Sequence, residues 1–132
     1  MKVKTLEKLA KDMIDYIINL SGFEHIEDIQ LNVVDNLESG DMAECNYNDS
    51  HGYIQLNIAS NMINDIEQAK YVISHELGHI LTREFHTYYV NFVGLDDDDM
   101  TSICSNVYEQ TAEILAKRLG RLILKLYEQK DK

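Results

Sequence analysis

Residues 71–81 read Tyr71-Val72-Ile73-Ser74-His75-Glu76-Leu77-Gly78-His79-Ile80-Leu81. Apolar residues recur here at helical spacing, and the pattern predicts a helix from about 65 to 83. Asp65 caps its start, and Gln68, three residues on, completes a capping-box-like pair. Within that helix His75 and His79 stand four residues apart, so both imidazoles project from one face at neighbouring heights. That geometry suits two neutral ligands of one tetrahedral zinc ion. Glu76 lies about a quarter turn away, too offset for a natural third ligand but placed to take a proton from a water on such an ion. With five His in the chain, composition alone yields an H-E-x-x-H with a chance of about one to two per cent. The competing reading is a hydrogen-bonded structural histidine pair. Placing His and Glu unpaired among so many apolar neighbours is costly, which favours a ligand role.

Outward from this segment the chain alternates in period. Val3, Leu6, Leu9, Ala10, Met13, Ile14, Ile17 and Leu20 predict an amphipathic N-terminal helix, stopped by Ser21-Gly22. Ile29, Leu31 and Val33 alternate with polar residues, as in a strand. Residues 42–47 and 52–58 predict two more strands, and the turn chemistry of Asn48-Asp49-Ser50-His51-Gly52 joins them as a hairpin. Residues 86–99 read as irregular, with Asp98 or Asp99 capping a long helix from about 100 to 128. Gly120, inside that helix, marks a bend or a close packing contact. The expected fold is α+β: one domain over residues 1–132, a small three-stranded, largely antiparallel sheet, and helices on one face.

A catalytic zinc site needs a third protein ligand and an open position. One arrangement takes a histidine six residues after the second motif histidine, with a glycine midway. Thr82 and Phe85 occupy those places, so that arrangement fails, and His86 misses by one residue. The other arrangement takes a glutamate from a downstream helix. Glu109 fits it, near Ser105, Ala112 and Ala116, whose small side chains let two helices approach. Glu113, one turn on, is placed to accept a hydrogen bond from a ligand histidine and fix its tautomer.

These two stretches, His75-Glu76-Leu77-Gly78-His79 and Glu109-Gln110-Thr111-Ala112-Glu113-Ile114-Leu115-Ala116, resemble the compact gluzincin-like metallopeptidases of the ImmA/IrrE type. The resemblance implies a minimal zincin-like fold whose long C-terminal helix carries the third ligand. The family's second motif reads E-x-E-A-N-x-F-A. By that match Glu109 takes the ligand place and Glu113 the place of the Asn, while Thr111 stands where the family has Glu. Such proteins occur in bacteria, phages and mobile elements and act on transcriptional repressors. The resemblance therefore implies an intracellular protein substrate.

The expected reaction is zinc-assisted hydrolysis of a peptide bond, with Glu76 moving the proton from water to leaving amine. Tyr108, Tyr88, Tyr89 and His86 are candidates for stabilising the oxyanion. A peptide substrate is expected to lie extended along the edge of the hairpin, at 52–58. The alternative is a protein-binding or inhibitor module that keeps the fold without hydrolysis. Composition narrows partners: 132 residues with a net charge of −11 carry no basic footprint for nucleic acid. No window is apolar enough for a membrane span, and the charged N-terminus is no signal peptide. Two cysteines, Cys45 and Cys104, without C-x-x-C spacing, fit a reducing, cytoplasmic setting.

Overall fold

A computed structural model describes the backbone of residues 1–21, 29–48, 53–93 and 98–131, and the side chains of residues 1–19, 29–46, 54–82 and 109–131. In chain order the elements are helix α1 (Val3–Ser21), strands β1 (Ile29–Val34), β2 (Ala43–Asn48) and β3 (Tyr53–Ala59), a short 3-10 turn (Ser60–Met62), and helices α2 (Ile66–Val93) and α3 (Asp98–Gln129). The α+β expectation holds.

The two strands of the predicted hairpin pair, with β2 antiparallel to β3 and Cys45 opposite Leu56, and residues 49–52 of the expected turn lie outside the described residues. The sheet as a whole is mixed, not largely antiparallel. Its order is β1-β3-β2, and β1 runs parallel to β3 with Leu31 opposite Leu56. Alternation marks which side chains face the core, but it carries nothing about which strand lies beside which. The same order places β3 in the centre with a partner on each side. The expectation that a peptide lies along residues 52–58 is therefore overturned, because that strand has no free edge.

One face of the sheet is apolar and covered. Leu56 and Ile58 are buried there, with Ile29, Leu31, Val33, Cys45 and Ile54 packed against the same core. The opposite face is polar: Asn32 donates to Asn57 at 3.0 Å, and Asn57 donates to Glu44 at 3.3 Å across the three strands. From the helices the core takes Leu6, Ala10, Met13, Ile14 and Ile17 of α1, Ile73, Leu77 and Ile80 of α2, and Ile123 and Tyr127 of α3. Each set recurs at three- and four-residue spacing, as a buried helical stripe does.

The start of α2 is capped as the sequence predicts. The Gln68 N–H donates to Asp65 Oδ1 at 2.8 Å. Gln68 Oε1 in return accepts from the Asn64 N–H at 2.9 Å, one residue before the expected partner. The helix then continues to Val93, where the sequence reading expected irregular chain from 86. Residues 84–93 contain neither Gly nor Pro. Their aromatic and β-branched members lower helix propensity by only about half a kcal/mol each, which tertiary context overrides.

The far end of α3 is fastened to α1. Tyr127 donates its hydroxyl to Asp12 Oδ2 at 2.5 Å, and Lys130 Nζ lies 3.3 Å from the same oxygen. Tyr16 meets the Tyr127 ring edge-on at 5.8 Å and donates to the Leu126 carbonyl at 3.1 Å. The Tyr127 hydrogen bond, helped by Lys130, holds the Asp12 carboxyl below its ordinary range. A carboxylate favoured in the fold contributes stability above its unfolded pKa and loses it as pH falls through the folded value. Tyr127→Phe should therefore cost about 1 kcal/mol in urea unfolding at pH 7. The difference from wild type should shrink as pH drops below the ordinary aspartate range; an equal difference at pH 7 and pH 3 would refute this clamp.

Candidate metal centre

Helices α2 and α3 meet almost backbone to backbone. A Cβ at Gly78 would collide with the Ala116 carbonyl oxygen, and one at Gly120 would lie 2.9 Å from His75 Cα and 3.1 Å from the Ser74 carbonyl oxygen. His75 thus lies against Gly120 and Gly78 against Ala116, so the two helices run antiparallel. Both glycines are buried. The close contact expected of Ala116 and Gly120 is present, with Gly78 on the facing helix, and it brings a carboxylate of α3 to the histidines of α2.

That carboxylate is Glu113. The two Nε2 atoms of His75 and His79 are 3.2 Å apart, with their rings perpendicular. One Glu113 oxygen lies 3.2 Å from His75 Nε2, and the other lies 3.2 Å from His79 Nε2. A tetrahedral ion with bonds of about 2.0–2.1 Å sets neighbouring ligand atoms about 3.3 Å apart. The spacing of the three donor groups therefore fits a small metal ion. Among the described residues this His-His-Glu set is the one group of its kind.

The expected ligand Glu109 is not part of it. Glu109 is exposed, one helical turn before Glu113. The helix register set at Ala116 and Gly120 leaves it about 6 Å further along α3. Glu109 is expected in the ligand place and Glu113 in a supporting one, yet the carboxylate 3.2 Å from both Nε2 atoms is that of Glu113. No spacing rule chooses between two glutamates one turn apart on one helix. Only the docking of α3 on α2 does. The candidates for oxyanion stabilisation, Tyr108, Tyr88, Tyr89 and His86, lie outside the residues whose side chains are described, as do Ser105 and Cys104.

Partial burial sets the protonation of the site. Desolvation pushes the His79 imidazole below its ordinary range, with His75 adding to the shift and Glu113 opposing it. The neutral ring it favours is the form a metal takes. Glu76, beside the pair, is pushed up to about 7, chiefly by burial, with the charges of Glu113, Asp41 and Glu44 adding to the rise. The Cys45 thiol hydrogen bonds the Glu76 side chain and opposes that rise. It also lies 3.6 Å from the Glu76 carbonyl oxygen. Burial, and then Glu76 itself, pushes the thiol up, so Cys45 is held as a neutral thiol. Sequence reasoning left Cys45 as an ordinary reduced residue. Its inward place in the alternation of β2 was the available signal.

Comparison of the chain with family models, with curated proteins and with solved structures gives no match.

Two measurements follow from this geometry. Gly78→Ala gains about 1 kcal/mol of helix propensity but overpacks a backbone contact, at a cost of about 1–3 kcal/mol. Urea unfolding should show a net loss and metal affinity should fall, since α3 must back away from the histidines; wild-type affinity would refute the role of this contact. The second concerns Glu76. Its pKa is raised in the fold, so the folded chain keeps a proton that the unfolded chain loses near the ordinary 4.5. In chelator-treated protein this part of the stability falls as pH climbs from about 4.5 to about 7 and is level above that. Compared with wild type, Glu76→Gln should gain relative stability across that window. Parallel curves for the two chains would show that Glu76 is not held protonated.

Proposed function

We propose that this chain is a zinc-dependent endopeptidase acting on a protein substrate, with His75, His79 and Glu113 as the metal ligands and Glu76 as the general base. The observation that carries the reading is the convergence of two Nε2 atoms and a carboxylate at 3.2 Å spacing beside a second, partly buried carboxyl group. Two His and one Glu leave a fourth position open, as catalytic zinc sites do and closed structural ones do not. Zinc bound there would polarise a carbonyl and lower the pKa of water.

The roles of the chain's own residues follow from where they sit. Glu76 follows His75 directly, on the side of α2 that meets β2 through Cys45. Its pKa near neutrality lets it accept a proton and hand it on within one cycle. Glu113, which faces both imidazoles, holds the two rings in one orientation. Among the described residues strand β2 has β3 on one side only. An extended peptide added to its other edge would take main-chain hydrogen bonds and run past Cys45 toward Glu76. That edge replaces residues 52–58 as the substrate track.

A binding module that needs the fold but no hydrolysis is separated from this reading by one set of variants. His75→Ala, His79→Ala and Glu113→Ala should each weaken zinc binding at least about a hundredfold, whereas Glu109→Ala should leave it within about threefold. Glu76→Gln should keep one zinc per chain while hydrolysis falls by about three orders of magnitude or more. Zinc content is read by elemental analysis, and cleavage by comparing the proteomes of cells expressing either form. Full biological activity in Glu76→Gln would refute the peptidase, and a metal-free wild type would refute the zinc site.

A further inference from the structure

Charge is distributed very unevenly along this acidic chain. Residues 24–113 hold eighteen Asp and Glu against two Lys and Arg, whereas residues 114–132 hold six Lys and Arg against two acids. Four of these cations, Lys117, Arg118, Arg121 and Lys125, are exposed on α3. At about 100° per residue they fall with Ile114 and Leu122 within one arc of about 140°. The buried positions Ala116, Gly120, Ile123 and Tyr127 fill the opposite side of the helix. Ile114 is 50 % exposed and Leu122 is 52 % exposed, the two most exposed large apolar side chains on α3 among the described residues. Lys70 and Lys130 are paired with Glu67 and Asp12. Among the described residues no carboxylate lies within ion-pair distance of the four cations on this face.

We infer that the outward face of α3 formed by Ile114, Lys117, Arg118, Arg121, Leu122 and Lys125 is a docking surface for an acidic segment of a partner protein. Unpaired guanidinium groups on a helix are suited to bidentate recognition of carboxylates. Ile114 and Leu122, two turns and about 12 Å apart, offer the apolar contacts by which an amphipathic segment is anchored. The size of the face selects a short partner. It spans about 17 Å of helix and is bounded by Glu113 at one end and Glu128 at the other. A nucleic acid duplex or a lipid surface extends far beyond that length and would meet the acidic remainder of the chain. The face begins one residue after Glu113 and needs no metal, so it stands apart from the proposed hydrolysis.

The test is fluorescence anisotropy with a labelled peptide of about 16 residues, half of them Glu, with Leu at every fourth position. It is run on the zinc-supplemented chain and on Glu76→Gln, so that cleavage is not read as weak binding. Binding should weaken as salt rises. Arg118→Glu with Arg121→Glu should reduce affinity about tenfold or more, and Leu122→Ser about threefold. Arg118→Gln with Arg121→Gln, which adds no new charge, should also weaken binding, so that a loss in the reversal variant is not read as a disturbed helix. Lys4→Glu with Lys8→Glu, a reversal of equal size on α1, should leave affinity unchanged. The proposal is overturned if the peptide does not bind, if the α3 variants bind it as wild type does, or if the α1 reversal weakens it equally. Tighter binding to phosphatidylserine vesicles or to a short DNA duplex would overturn it as well.

Discussion

Contact between α2 and α3 at two glycines governs much of what surrounds it. Helices packed through ordinary side chains keep their axes about 8–10 Å apart. With no side chain at Gly78 or Gly120, one helix instead rests directly on the backbone of the other, beside Ala116 and beside His75. The near side of the crossing is then free of bulk, and the Glu113 carboxylate reaches both imidazoles. The same register sends Ile123 and Tyr127 into the core and ties the end of α3 to α1 through Tyr127 and Asp12. The geometry of the His-His-Glu group and the helix packing are thus one constraint, which explains why a glycine, ordinarily a cost inside a helix, stands in each of these two.

Electrostatics is arranged around that contact in two layers. Next to the histidines, burial and neighbouring acids hold Glu76 near a neutral pKa, while burial favours the uncharged ring of His79 against the pull of Glu113. The uncharged His79 ring is the form that a metal ion would take. The Cys45 thiol, neutral and inward-facing on β2, links the sheet to the same carboxyl. Along the sequence, acid dominates residues 24–113 and base dominates after them. A net charge of −11 conceals this division. The surface of α3 does not share that average.

Local patterns in the sequence determined the helical and strand character of nearly every segment. Periodicity in 3–20, alternation in 29–33 and 52–58, and the Asp65-Gln68 cap each correspond to an element or bond in the structure, because each rests on neighbours in the chain. The His75, Glu76 and His79 constellation was legible for the same reason: one helical turn sets it. Where the reading went astray, the missing information was non-local. Strand order and the parallel pairing of β1 with β3 depend on which strand the chain inserts between two others, and alternation is blind to that. The length of α2 beyond residue 83 depends on the absence of a breaker more than on a propensity sum. The choice of Glu113 over Glu109 depends on helix register. Two glutamates one turn apart on the same helix are equivalent in sequence, and only the backbone contact of Gly120 with His75, made across 45 residues of chain, decides which one meets the histidines.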